Sequence, residues 1–67
     1  MYKIIVFANK FPRSEGFKVL ARMQFTEEVF AHNAFQDLKR NPFYDGYGYD
    51  FEKDGKIIET NIDEKDD

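Results

Sequence analysis

Apolar and polar positions repeat with two different periods along this chain, and the change of period divides it into elements. Over residues 25–42 (FTEEVFAHNAFQDLKRNP) the period is helical, and Phe30, Ala31, Ala34, Phe35 and Leu38 fall on one side. The same stretch carries start and stop signals. Thr26 can offer its hydroxyl to an orphan amide of the first turn, and Phe25 and Phe30 are spaced for a hydrophobic staple across it. Glu27 and Glu28 stand at the positive end of the helix dipole, Lys39 and Arg40 at the negative end. Pro42 disfavours a helical Asn41 and ends the run.

On either side of this helix the period shortens to two. Residues 2–8 (YKIIVFA) are β-branched and aromatic, with Ile4 and Val6 on one face and Ile5 and Phe7 on the other. Such a strand is central in its sheet, or meets a partner with its second face. Residues 9–16 contain Pro, Ser and Gly and read as a loop. In residues 17–25, Phe17, Val19, Ala21, Met23 and Phe25 alternate with Lys18, Leu20, Arg22 and Gln24. Good helix formers are plentiful there, and Ser14 stands where a cap would. On a helical wheel, however, the apolar residues scatter around the circumference, so a strand is expected.

Residues 41–46 are a turn-rich connection, after which two β-like runs, 47–52 and 57–62, flank Lys53-Asp54-Gly55-Lys56. Asp-Gly between such runs signals a type I′ hairpin turn, which needs positive φ at both central residues. That turn sets Lys53 opposite Lys56. Phe51 should then face Ile58, with Tyr49 against Thr60 and Tyr47 against Ile62.

The order β-β-α-β-β predicts an α+β fold: one small domain over residues 1–62, an antiparallel sheet of two hairpins with one helix packed on one face. The expected core is Val6, Val19, Met23, Phe30, Phe35, Leu38, Tyr49, Phe51 and Ile58. One helix shields only part of a four-stranded sheet. Ile5, Phe7 and Leu20 are therefore expected on an uncovered face that pairs with a second copy as a homodimer.

Composition sharpens this. At 67 residues the chain makes one domain with little room for a core, because a chain of about 60 residues buries only ~60% of its unfolded surface. No cysteine is present, which removes disulfides, thiolate zinc sites and cysteine nucleophiles. Eight Phe and four Tyr supply apolar mass instead, either to the core or to an interface. The short apolar run after Lys3 falls below the length of a signal core or a membrane span. With the lack of cysteine, that predicts an unprocessed cytoplasmic protein with no membrane partner.

Charge is uneven. Residues 1–41 carry seven Lys and Arg against four Asp and Glu, whereas residues 42–67 carry three against nine. Residues 63–67 (DEKDD) contain no apolar side chain and are expected to form a disordered acidic tail.

The stretch DGYGYDFE, residues 45–52, resembles the RNP1 motif of the RRM family of RNA-binding domains through Gly46-Tyr47-Gly48-Tyr49. The resemblance implies Tyr47 and Tyr49 as base-stacking residues. The chain departs from the motif at Asp45, Asp50 and Glu52, and it lacks the second helix of an RRM. Acidic groups at phosphate-facing positions repel RNA. The reading preferred here is a core or interface strand whose glycines make a bulge or permit close backbone approach. Asp50, Glu52, Asp54 and Gly55 are similarly spaced to the first half of an EF-hand loop, but position 12 is Asn61 and no flanking helix is expected. His32 is the only histidine, placed with Glu28 on the polar side of the helix, and forms no catalytic constellation.

The expectation is therefore a non-enzymatic protein-interaction module, self-associating or binding another protein, with no cofactor, metal or small-molecule substrate. Its size and tail suit an accessory factor or inhibitor of the kind carried by phages and mobile elements. The candidate interaction residues are Ile5, Phe7, Leu20, Tyr47 and Tyr49. Two alternatives belong to other classes. One is single-stranded nucleic-acid binding through Tyr47, Tyr49 and the basic residues Lys3, Lys10, Arg13, Lys18 and Arg22. The other is an acidic decoy that mimics nucleic acid to occupy a basic protein.

Overall fold

The computed structural model of the chain describes residues 1–63. Its elements run β1 (Tyr2–Phe7), β2 (Val19–Phe25), α1 (Glu28–Arg40), a short 3₁₀ turn (Pro42–Tyr44), β3 (Gly48–Lys53) and β4 (Lys56–Thr60). The four strands form one open antiparallel sheet in the order β2-β1-β3-β4. The order β-β-α-β-β and the single helix layer are as the periodicity predicts, and residues 19–25 are a strand.

β1 is central because it pairs with β2 on one side and β3 on the other, which accounts for its apolar character on both faces. Tyr2, Ile4 and Val6 are buried under the helix, while Ile5 and Phe7, on the opposite face, are only half-buried. From β3, Phe51 lies beside Ile4 and Tyr49 beside Val6. The helix sends Ala31, Phe35 and Leu38 down onto this surface. Phe35 stacks tilted on Phe51 at 4.5 Å and edge-on to Tyr49 at 5.0 Å. Burying each large side chain contributes about 1.5–3 kcal/mol, so Phe35, Phe51 and Ile4 anchor the domain.

Several expectations are corrected. The helix starts at Glu28, with Glu27 in extended conformation at the cap position and no side-chain cap bond, so Thr26 is not the N-cap. That later start makes Phe30 the third helical residue instead of the fourth, and the expected staple with Phe25 is lost. Phe30 sits on the flank of α1 nearest β2, where the sheet ends, and remains 59% exposed. Val19 and Ile58, also expected in the core, are exposed.

The β3–β4 turn has positive φ at Asp54 and Gly55, and Lys53 faces Lys56 as the turn chemistry requires. The register then slips by one residue. Ile58 is a bulge, so Phe51 faces Glu59 instead of Ile58, and Asp50, not Tyr49, faces Thr60. A second bulge falls at Leu20, where Val6 pairs with Ala21 but Phe7 with Val19.

β4 ends at Thr60, so Tyr47 and Ile62 are not ladder partners. The chain crosses the end of β3 instead. Ile62 approaches Gly48, and the Asp63 amide donates to the Lys10 carbonyl at 2.7 Å. Of the tail expected over 63–67, residues 64–67 lie outside the described residues. Among the described residues, no helix is long and apolar enough to cross a membrane.

Candidate functional site

The residues singled out in the sequence divide between two sides of the sheet. On the uncovered face, the register sets Arg22, Ile5, Asp50 and Thr60 in one row and Gln24, Lys3, Glu52 and Ile57 in the next. Ile5 is thus framed by charges of opposite sign. Phe7, at the end of the same face, is covered by Phe17, whose ring stacks on it at 4.8 Å with an interplanar angle of 14°. Leu20 lies at the β2 bulge and is 44% exposed. This face is a mixed surface with basic groups on its β2–β1 half and acidic groups on β3. Cross-strand opposites such as Lys3 and Glu52 stabilise such a surface by about 0.2–1 kcal/mol each.

Tyr47 and Tyr49 belong to the other side. Tyr49 points under the helix, edge-on to Phe35, and Tyr47 precedes β3. The stacking platform implied by the RNP1 resemblance, with both rings on an open sheet surface, is therefore not reproduced. Both tyrosines line a cleft of about 470 Å³ between the end of α1, the 3₁₀ turn and the start of β3. Val6 and Leu38 also line it, as do Lys10, Arg40 and Asp45. Phe43, 71% exposed, extends the aromatic wall by edge contacts with Tyr44 at 5.2 Å and Tyr47 at 6.0 Å.

Asn61 builds this cleft, a role the sequence reading missed. Its Oδ1 accepts from the Tyr49 amide at 2.6 Å, and its Nδ2 donates to the Tyr47 carbonyl at 2.9 Å. A side-chain amide thereby takes the place of a strand backbone where β4 has ended. The only signal in sequence was an amide side chain between Thr60 and Ile62 in an otherwise β-like run. Gly48 is the second such feature. Its backbone lies so close to Asn9 that an added Cβ would stand 2.4 Å from the Asn9 carbonyl oxygen. The close approach expected of a strand glycine is found here.

Around the loop between β1 and β2, Asn9 accepts from the Phe11 amide at 2.8 Å and donates to the Ser14 hydroxyl at 2.9 Å. This fixes Lys10 near the cleft. His32 is a surface residue whose Nε2 lies 3.4 Å from Glu28, with its ring edge-on to Phe51 at 5.2 Å. Among the described residues, no group of three or more His, Cys, Asp or Glu is placed to hold a metal ion. The Met1 ammonium, 2.7 Å from Asp54, holds the Asp54 carboxyl below the ordinary carboxylate range.

Among the described residues, the architecture is an open-sheet α+β domain with one helical layer, one face that no helix covers and two edge strands. No family model, curated protein or solved structure matches the chain, so its functional reading rests on these surfaces alone.

Proposed function

We propose that this chain is a non-enzymatic interaction module that works by associating with itself. The observation that carries the reading is the distribution of apolar side chains. Among the described residues, seven hydrophobic ones form the buried core, while nine large ones stay exposed, including Leu20, Phe30, Phe43, Ile57 and Ile58. Scattered apolar side chains are ordinary on a protein surface. Here they outnumber those inside, in a domain whose length leaves it short of buried area. Association with a second copy offsets that shortage and covers the surface.

Sedimentation velocity across a hundredfold range of concentration tests this. A dimer that dissociates on dilution is expected. A single monomeric species throughout that range overturns the reading.

A second reading is favoured by one observation, the convergence of Tyr47, Tyr49 and Lys10 on a single cleft. Aromatic walls with nearby cations are how proteins hold single-stranded nucleic acid. A fluorescently labelled oligonucleotide would then show salt-sensitive binding that is lost in Tyr47→Ala. Unchanged anisotropy up to high micromolar protein refutes it.

A further inference from the structure

Resting on the self-association reading, we infer that the second copy docks along β2, joining the two sheets edge to edge into one continuous eight-stranded sheet. Four observations converge on this edge.

The first is its regularity. Among the described residues, β2 pairs with β1 on one side only, so its other side presents ladder amides and carbonyls to an incoming strand. The bulge at Leu20 and the strand end at Phe25 leave a regular run of residues 21–25, whose middle residue is Met23. The opposite edge is unsuitable. β4 spans Lys56–Thr60 and is broken in its middle by the bulge at Ile58.

The second is self-complementarity. A two-fold axis through Met23, perpendicular to the sheet, runs the two β2 strands antiparallel with Met23 beside its own copy. Arg22 then faces Gln24, and Ala21 faces Phe25. No like charges oppose one another, and each large ring meets a small side chain. Roughly four to six ladder hydrogen bonds form, depending on which residues point their amides outward. An axis one residue earlier would set Arg22 against Arg22.

The third is charge at the ends of the run. Lys18 precedes β2 and Glu27 and Glu28 follow it, all exposed. Antiparallel docking brings the Lys18 end of each strand towards the Glu27 and Glu28 end of the other, so charges of opposite sign meet at both ends of the joint.

The fourth is a groove above the edge, with Asp37 and Asn41 at its polar margin. Met23, half-buried, lines it together with Ala34 and Leu38 of α1. Phe30, 59% exposed, stands one turn before Ala34 on the same flank of the helix. The two-fold keeps both helices on one side of the joined sheet, so Phe30 of each copy covers the new central strand pair.

The chain has no cysteine, so single cysteines introduced into the full chain report the geometry directly. Met23→Cys is expected to give a covalent dimer under mild oxidation, because paired strands hold opposed Cα atoms about 4.5–5.5 Å apart, within disulfide reach. Ile5→Cys on the uncovered face and Ile57→Cys on the β4 edge are expected to remain uncrosslinked. Lys18→Glu should weaken the dimer, and Lys18→Glu with Glu28→Lys should restore it.

Cross-linking through residue 5 or 57 but not 23, in a protein that sediments as a dimer, overturns the docking edge and leaves self-association standing. A monomer at every concentration overturns both. Should Met23→Cys lose the wild-type circular dichroism spectrum, Phe30→Asp decides. A dimer dissociation constant raised about tenfold or more supports this edge, and an unchanged dimer refutes it.

Discussion

Replacing Gly48 by alanine tests the join between the two ends of the fold. The φ of Gly48 lies outside the left-handed region, so alanine meets no backbone strain there. Its methyl group meets space already filled, with the Asn9 carbonyl oxygen at 2.4 Å and the Ile62 Cδ1 at 2.6 Å, where ordinary contact begins at 3.4 Å. The Ile62 methyl can swing aside on its own rotamers. The Asn9 carbonyl cannot, because it belongs to a backbone that the Asn9 side chain ties to Phe11 and Ser14. Opening that gap by about an ångström moves the β1–β2 loop, an overpacking cost of roughly 1–3 kcal/mol. The more restricted unfolded chain offsets about 0.4–1 kcal/mol of it.

A net loss of about 1–2 kcal/mol is large for a domain this size, whose total stability by length is about 3–10 kcal/mol. It should lower the thermal midpoint by about 5–15 °C, followed by far-ultraviolet circular dichroism. Ile62→Ala combined with Gly48→Ala should recover only the smaller, side-chain part of that loss. Gly48→Ala with an unchanged or raised midpoint would show that Asn9 and Ile62 do not close over β3, and the crossing of residues 61–63 would have to be abandoned.

Two further outcomes follow from side chains at the same end and at the β3–β4 turn. Asn61→Ala removes two hydrogen bonds to the Tyr47 and Tyr49 backbone and should cost about 1–3 kcal/mol in urea unfolding. Faster amide exchange at Tyr49 should accompany that loss, and protection equal to wild type would refute the clamp. Asp54 is an exposed carboxylate held below its ordinary range by the Met1 ammonium, so the unfolded chain binds more protons than the native one in mild acid. Its contribution is therefore present above the unfolded value, about pH 4, and is lost as pH falls through the lower native value. Asp54→Asn keeps the turn, since asparagine also tolerates positive φ, and should flatten the acid limb of the stability profile. Superimposable acid limbs for the two proteins would refute the pairing.

The sequence shows where each element is and fails where an element changes phase. Helical spacing locates α1 because Ala31, Phe35 and Leu38 recur with one period and nothing between them competes. Asp54-Gly55 locates the hairpin because few residue pairs accept that turn. The two bulges escape the same method for a single reason. Each falls within an apolar doublet, Val19-Leu20 or Ile57-Ile58, and two adjacent apolar residues read equally well in either phase of an alternating pattern. A slip of one residue there leaves the hydrophobic string unchanged while moving every later side chain to a new partner. That is how Glu59 rather than Ile58 comes to face Phe51, where it accepts from Lys39 at 3.2 Å, and how the apolar partner expected for the core becomes a surface residue.

The doublets have a second consequence, which bears on the candidate interface. Bulges at edge strands protect against uncontrolled pairing by bending the edge out of register. In β4 the bulge sits mid-strand and spoils the whole edge. In β2 it sits next to the start and spares the rest, so that the run from Ala21 to Phe25 remains straight, regular and symmetric about Met23. The same irregularity that hides from sequence periodicity therefore closes one edge of the sheet and leaves the other able to pair. An edge that was merely unprotected would tolerate several registers. Here Arg22 disfavours the axis one residue earlier, and a two-fold about Met23 uses up the β2 edge while the bulged β4 edge stays closed, so discrete dimers are expected instead of open-ended aggregates.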